Sequence, residues 1–240
     1  MTIAPELVSR IALFQHIDVN DIEDVLCCVH AASEQHKKGS FIRIAGDPAD
    51  FIGIVLSGTV QVLLDGYDGR RNITSAFGPG AMFAEAFSCA GVDELPVSIM
   101  AAENCEILTI KIDQILSVQK DECGFHHILM RNLLHILAQK NMLLNRKLSC
   151  VSHKTTAEKL MAFLNDQAQQ HHSMEFTIPY DRQALADYLG VDRSAMSTEL
   201  SKLQRQGMLE TKGNWFRLSK YKDSMSPLIL KDVEALRNLL

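Results

Sequence analysis

The sequence lacks the features that would carry it into a membrane or out of the cell. No uninterrupted apolar stretch approaches the ~18 residues that are needed to span a bilayer. The first residues, Met1–Glu6, hold no basic region followed by an apolar run, as a signal peptide would. We therefore expect a cytoplasmic protein.

A regular cysteine framework is missing as well. Six cysteines are present, at scattered positions: Cys27, Cys28, Cys89, Cys105, Cys123 and Cys150. In a chain of 240 residues without a signal peptide, this pattern is typical of reduced thiols and not of a disulfide scaffold. We expect thiols that pack in the core.

Histidine is absent between Gly39 and Ile112, a stretch that is rich in short apolar segments. A metal-dependent enzyme built on a small barrel needs two or three histidines and a carboxylate on neighbouring strands. The absence argues against catalysis. We expect a protein that is not an enzyme, with neither catalytic nor metal-binding residues.

The net charge of −5 conceals a difference between the two ends of the chain. Residues 152–240 hold 12 lysines and arginines against 11 acidic residues, and residues 181–222 hold 8 against 5. The rest of the chain is acidic. Because phosphates are neutralised only where a protein docks, a weakly basic patch on an acidic body suits a sequence-specific DNA-binding protein.

Short β-branched segments separated by glycine and aspartate turns follow a helical pattern that runs from Leu7 to about Ala32. The predicted strands are Phe41–Ile44, Ile52–Leu56, Thr59–Leu64, Ile73–Thr74, Val97–Ala101 and Glu106–Ile110. Several short strands at this spacing indicate a small sandwich or barrel.

The helical period returns at Gln114 and continues to about Cys150. Its apolar residues form a rough heptad stripe: Leu129, Leu133, Ile136, Leu137, Leu143, Leu144 and Cys150. Lys140 and Lys147 stand at apparent seam positions and weaken the pattern. A helix of ~45 Å is longer than one small barrel can cover, so we expect it to pair with its twin in a dimer. Packing on its own core is the alternative.

Residues 181–206 carry a helix-turn-helix pattern. Asp181 can cap one helix, Gly190 supplies the positive φ of a tight turn, and Asp192 can cap a second helix. The apolar residues of this second helix share one face, which must be buried: Met196, Leu200 and Leu203. Residues 208–211 and 215–218 then predict a two-stranded wing.

The opposite face of the second helix is rich in hydroxyls, cationic and free of bulky apolar residues. Such a surface fits the major groove, where arginine can bond guanine and hydroxyls reach bases or phosphates. The predicted DNA contacts are Arg182, Arg193, Ser194, Ser197, Thr198, Ser201, Lys202 and Arg205, with Lys212 at the wing tip.

The whole pattern resembles the Crp/Fnr superfamily of bacterial regulators, to which the catabolite activator protein belongs. The resemblance covers about residues 10–220 and is carried by Lys38-Gly39-Ser40, Ala45-Gly46-Asp47-Pro48-Ala49, Leu56-Ser57-Gly58, Gly78-Pro79-Gly80 with Glu85, and the segments 181–191 and 193–197. It implies an α+β fold. Residues 1–151 would form a cyclic-nucleotide-binding-type β-barrel (a double-stranded β-helix) with a dimerisation helix at about 114–150, and residues 152–240 a winged helix-turn-helix. It also implies a homodimer that binds palindromic double-stranded DNA and acts with RNA polymerase, as an activator or as a repressor.

One part of the family pattern is absent. Members that bind cyclic nucleotides carry a Gly-Glu pair and, some ten residues later, an Arg-Ser pair whose arginine neutralises the phosphate. Here Glu85 is present, but Ala84 replaces the glycine and Leu95-Pro96 stand at the Arg-Ser positions. A buried phosphate without a cation loses its charge-assisted bonds and its hydration. We therefore expect an unidentified small effector other than cyclic AMP, and no cofactor.

Several alternatives stay open. The cysteines could in principle meet at an iron-sulfur cluster, although they lack the N-terminal clustering of that branch of the family. A haem could take an axial ligand from His30, His126, His127 or His135. The barrel could also serve only for dimerisation and polymerase contact, with no effector.

If an effector binds, the resemblance places it against Met82, Phe83, Glu85, Phe87, Leu129 and Leu133, although these residues could equally fill a core. The tail, Tyr221–Leu240, has the apolar spacing of one more amphipathic helix.

Overall fold

The computed structural model describes residues 4–65, 71–116 and 124–219 of the chain. By its contacts the chain divides into two compact units, Met1–Lys140 and Asn141–Leu240. The predicted C-terminal helix, Cys123 and the stretch 117–123 of the predicted long helix lie outside the described residues. None of the helices in the described part is long and apolar enough to cross a bilayer.

The first unit is built from two sheets. Its strands are β1 (Ala32–His36), β2 (Phe41–Arg43), β3 (Phe51–Ser57), β4 (Val60–Asp65), β5 (Arg71–Phe77), β6 (Met82–Phe83), β7 (Ser98–Ala101) and β8 (Cys105–Lys111). They pair antiparallel in two four-stranded sheets, in the orders β1-β8-β3-β6 and β2-β7-β4-β5.

Short helices accompany these strands: α1 (Pro5–Val8), α2 (Ile22–Cys28), α3 (Glu85–Cys89) and α4 (Ile112–Leu116). The prediction of one helical region from Leu7 to Ala32 is wrong. Between α1 and α2 the chain forms two 3₁₀ turns, Ala12–Phe14 and Val19–Asp21. His16 has a left-handed φ of 68° and Asp18 is extended, so no continuous helix can pass through them.

Strand β3 lies between two apolar cores. Because successive side chains of a strand point to opposite faces, Ile52, Ile54 and Leu56 join one core and Phe51 and Val55 the other. The first core also holds the helical N-terminal residues, and the second fills the space between the two sheets. This explains why a continuous apolar run, and not an alternating one, forms the strand.

The long helix α5 runs from His126 to Val151, 26 residues or ~39 Å. Leu129 and Leu133 are buried in the first unit, so this half of the predicted stripe faces the chain's own core. Cys150, at the other end, is buried in the second unit. The exposed apolar residues of α5 are Leu134, Met142, Leu143, Leu144 and Leu148.

The second unit is a compact helical domain with a small sheet. After α5 come α6 (Thr156–Gln170), β9 (Glu175–Thr177), α7 (Arg182–Leu189), α8 (Arg193–Arg205), β10 (Leu209–Lys212) and β11 (Trp215–Leu218). The sheet order is β10-β11-β9, with β9 as a strand that the sequence pattern did not predict. The α+β fold, with an N-terminal double-sheet domain and a C-terminal winged helix-turn-helix, is thereby confirmed.

The cysteines divide into two kinds. Cys27, Cys89, Cys105 and Cys150 are free, whereas Cys28 is disulfide-bonded. The prediction of reduced thiols is therefore wrong for Cys28, because a disulfide depends on how closely the fold brings two residues together and not on their spacing in sequence. Burial, followed by the charge of Asp166, raises the pKa of the Cys150 thiol to about 11.

Candidate DNA interface and effector site

The helix-turn-helix is set by three local signals. The Asp181 carboxylate accepts from the Ala184 N–H at 2.8 Å at the start of α7, and Gly190 ends that helix with a φ of 61°. The Asp192 carboxylate accepts from the backbone N–H groups of Ser194 and Ala195 at 2.8 and 3.0 Å. The predicted caps and the predicted glycine turn are thus present, and they fix where α8 begins.

The inner face of α8 is buried as predicted, with Met196, Leu200 and Leu203 between 0 and 5% exposed. On its outer face the hydroxyls of Ser197, Thr198 and Ser201 donate to carbonyl oxygens one turn earlier, at 2.9, 2.9 and 3.0 Å. Each hydroxyl oxygen keeps lone pairs for an outside donor, and each O–H can rotate towards an outside acceptor.

The cations predicted to contact DNA differ in their surroundings. Arg193 is exposed, and its side chain makes no hydrogen bond or ion pair with the described residues. Lys202 lies 3.5 Å from Glu199, and Arg205 donates weakly to the Ser201 carbonyl at 3.4 Å. Lys212 is exposed where β10 ends.

Arg182 is held by the wing. Its guanidinium donates to Thr211 Oγ1 at 2.8 Å and lies 5.0 Å from the centre of the Phe216 ring. Burial lowers the pKa of Arg182. The structure therefore joins α7 to the wing through this side chain, and its role as a DNA contact stays a prediction.

The first unit contains a buried carboxylate at the predicted effector site. Glu85 is 4% exposed and opens α3, directly after Ala84, whose φ is 65°. The Lys140 ammonium of α5 donates to Glu85 Oε1 and to the Met82 carbonyl, both at 2.7 Å. It also lies 5.7 Å from the centre of the Phe77 ring. Glu85 Oε2 is buried without a hydrogen-bond partner in the described structure.

The other predicted lining residues are packed in the cores. Met82, Leu129 and Leu133 share the first core, while Phe83 and Phe87 belong to the second. Leu95, at the family's arginine position, is 1% exposed in that second core. Lys140 is the one cation that bonds Glu85 within the described residues.

Lys140 is the site residue that the sequence reasoning missed, because it was assigned to the dimer seam. A signal was available: Leu133, Ile136, Leu137 and Lys140 follow the i, i+3, i+4, i+7 spacing of one helix face. Since Leu133 packs inwards, Lys140 must point inwards too. Lys147, the other lysine of the predicted seam, lies 5.4 Å from the centre of the Tyr188 ring.

The histidines considered as haem ligands are dispersed. His30 Nδ1 lies 2.9 Å from Gln114 Oε1, and His135 Nε2 lies 2.9 Å from Gln139 Nε2. His126 is buried at the start of α5 and His127 is exposed. Across residues 4–65, 71–116 and 124–219, no three His, Cys, Asp or Glu side chains are grouped as a metal site would need.

Two family models match the chain in succession. Residues 33–122 match the cyclic nucleotide-binding domain, and residues 158–239 match the Crp-like helix-turn-helix domain. The CRP-like protein Clp of Xanthomonas euvesicatoria is 23% identical over 202 residues, which cover 82% of this chain and 87% of that protein.

Two solved structures share the fold. The catabolite activator protein of Thermus thermophilus is 21% identical, covers 87% of this chain and 93% of its own, and has a TM-score of 0.50. The regulator CLP of Xanthomonas campestris, described as c-di-GMP responsive, is 22% identical, covers 85% and 100%, and has a TM-score of 0.51.

Proposed function

The chain belongs to the Crp/Fnr superfamily of DNA-binding transcription regulators, which are not enzymes, and we propose that it is a homodimer that reads a palindromic operator. In this proposal α8 enters the major groove, the barrel is gated by a small effector other than cyclic AMP, and the complex acts with RNA polymerase in the cytoplasm.

The outer face of α8 carries the proposal. Its hydroxyls are small enough for the helix to approach the base edges, and Arg193 has no protein partner to give up within the described residues. An arginine at the first turn can form two bonds to guanine, each good pair being worth ~1–3 kcal/mol of discrimination. Thr198, Lys202 and Arg205 remain predicted contacts beside it.

The dimer rests on the exposed apolar residues of α5. Leu134 is 68% exposed, Leu144 67% and Leu148 63%, although a single chain normally covers residues of this size. Pairing two copies of α5 would cover them and would relate the two α8 helices by a two-fold axis. The helices must then lie one DNA turn, ~34 Å, apart to enter successive major grooves.

Gating requires an effector that binds one arrangement of the long helix better than another. A ligand shifts such an equilibrium only through its differential affinity for the two states. In this proposal residues 151–153, between α5 and α6, act as a hinge, and a change of arrangement there would re-orient α8. At the family's arginine position the buried Leu95 offers a phosphate no cation, which supports an effector other than cyclic AMP.

The deciding experiment is a genome-wide selection of DNA fragments by the purified full chain, with and without small molecules from a cell extract. A two-fold palindrome whose recovery depends on the extract is expected. Arg193→Ala should abolish its enrichment, whereas Arg10→Ala, at an exposed arginine of the first unit, should not. Salt-sensitive binding without any sequence preference would contradict the proposal.

Two further outcomes are informative. Equal recovery with and without extract would favour a constitutive DNA-binding protein, in which the barrel has no sensory role. Because CLP is described as c-di-GMP responsive, c-di-GMP is the first pure compound to titrate against the recovered palindrome, with cyclic AMP beside it as the compound expected to have no effect.

A further inference from the structure

Lys140 bonds α5 to the barrel in a stretch whose other residues are exposed. From residue 138 to residue 145 every side chain of the helix is exposed except Lys140, which is half-buried. Its ammonium makes two bonds of 2.7 Å, to Glu85 and to the Met82 carbonyl. At the end of the first unit, the contact of α5 with the barrel therefore depends on the Lys140 side chain.

Glu85 in turn depends on Lys140. Only 5% of the Glu85 side chain is exposed, against 36% of Lys140. A buried carboxylate that loses its cation keeps an uncompensated charge, which is strongly destabilising. The unpartnered Oε2 shows that the protein already leaves half of this carboxylate without a donor. Removal of the Lys140 side chain should thus destabilise both the helix and the barrel.

We propose that Lys140 is a positioning residue that takes the place of an effector at Glu85 and holds α5 on the barrel without a ligand. The proposal rests on the proposed function, because it specifies how the same site is regulated. In this proposal an effector acts by displacing the Lys140 ammonium from Glu85 Oε1, and it must then supply its own N–H or O–H donors to the carboxylate. It must also leave the Met82 carbonyl bonded or solvated.

The first test is hydrogen exchange on the full chain. Lys140→Met keeps most of the length of the side chain and removes its charge and donors. Amides of α5 between residues 134 and 145 are expected to exchange about tenfold faster than in the natural protein. Lys111→Met, at a lysine that is 70% exposed and pairs with Asp50 on the surface, is the matched control and should leave them unchanged.

The second test separates a specific bond from general packing. Lys140→Arg retains a cation with several donors and should keep slow exchange. In Lys140→Ala, added propylammonium should restore slow exchange by filling the vacated place. Tetramethylammonium, which has the charge but no N–H donor, should not restore it. If Lys140→Met fails to fold, Lys140→Gln, which keeps a donor for the Met82 carbonyl, takes its place in the same measurement.

DNA binding gives the regulatory readout. Lys140→Met should change the affinity for the selected palindrome about tenfold, and Lys140→Arg should leave it near the natural value. Unchanged amide exchange in Lys140→Met would overturn the proposal that Lys140 holds α5 on the barrel, whatever the result of the DNA-binding measurement. Altered exchange with unaltered DNA affinity would overturn its regulatory role. If no palindrome is found at all, the proposed function fails. The exchange data still decide separately whether Lys140 holds α5 on the barrel.

Discussion

The polar side chains of the two candidate sites, one in each unit, differ in their burial and in their hydrogen-bond partners. In the first unit Glu85 and Lys140 are bonded to each other inside the protein. In the second unit the hydroxyls of Ser197, Thr198 and Ser201 lie on the surface of α8 and donate to carbonyl oxygens of their own helix. An effector at the first site must compete with a protein bond, whereas DNA at the second must displace water and rotate hydroxyls.

This difference indicates which interactions give each unit its ligand specificity. A short bond to a buried charge is hard to replace, so the barrel site can reject ligands that offer Glu85 no donor. The α8 surface is open, and its selectivity must come from which base edges match its few side chains. The barrel should therefore be sensitive to packing and charge, and the helix-turn-helix to contacts with DNA.

The largest effect is expected from a pair of glycine substitutions, one in each unit. A Cβ on Gly53 would lie 2.1 Å from Phe83 Cζ, whereas a Cβ on Gly190 would meet nothing within 4 Å. Gly53→Ala should cost roughly 3 kcal/mol or more by overpacking. Gly190→Ala should cost only ~1–2 kcal/mol, through its positive φ. Urea unfolding of both variants measures this, and equal losses would break the comparison.

The second prediction concerns DNA affinity. Arg193→Ala should weaken binding to the selected palindrome by ~10- to 100-fold and leave thermal unfolding unchanged, because the side chain has no protein partner in the described structure. Lys212→Ala should weaken binding to all sequences alike and reduce the salt slope by ~1. Fluorescence anisotropy at several salt concentrations distinguishes the two. A lower melting temperature for Arg193→Ala would contradict the view that the Arg193 side chain contributes no structural bond.

The third prediction is acid sensitivity in the barrel. Burial raises the pKa of Glu34, but the hydrogen bond and charge of Arg43, with hydrogen bonds from Thr109 and His36, outweigh it and leave the pKa lowered. The stability that this group contributes is present above its ordinary pKa of 4.5 and is lost as the pH falls through the lowered value. Glu34→Gln should remove this part of the pH dependence and lower the melting temperature by a few degrees at neutral pH. If plots of melting temperature against pH run parallel for the variant and the natural protein below pH 4.5, the role of Arg43 is contradicted.

The smallest effect is expected at the cap of α8. The hydroxyl of Ser194, followed by the N–H groups of Ala195 and Ser194, lowers the pKa of the exposed Asp192. The stability that the Asp192 carboxylate contributes is likewise present above its ordinary pKa and is lost as the pH falls through the lowered pKa. Asp192→Ala should lower the melting temperature slightly, and Asp192→Asn should restore most of it because an amide oxygen still caps. A loss as large as that of Glu34→Gln would reverse the predicted order.

Local signals made the DNA-binding half predictable from sequence. Asp181, Gly190 and Asp192 act within a few residues of themselves, so their roles follow from residue type and spacing. The buried face of α8 follows from helical periodicity in the same way. Most strands of the barrel were found from β-branched runs, although β1 and β6, and β9 in the second unit, were missed because they lack such runs.

The barrel site depended on long-range contacts that spacing does not contain. Lys140 and Glu85 are 55 residues apart, and the sequence around neither residue predicts its partner. The same holds for the disulfide of Cys28. Lys140 could have been assigned to the inward face from its helical spacing, but the identity of what it meets required the fold.

The burial of Cys150 has a practical consequence for chemical labelling. With a pKa of about 11, only about one thiol in ten thousand is ionised at neutral pH, and its side chain is 2% exposed. Cys27 is free and exposed in the first unit. A maleimide fluorophore added to the folded protein should therefore attach at Cys27 and leave Cys150 unmodified, so that its emission reports on the barrel while the DNA-binding unit carries no dye on that thiol.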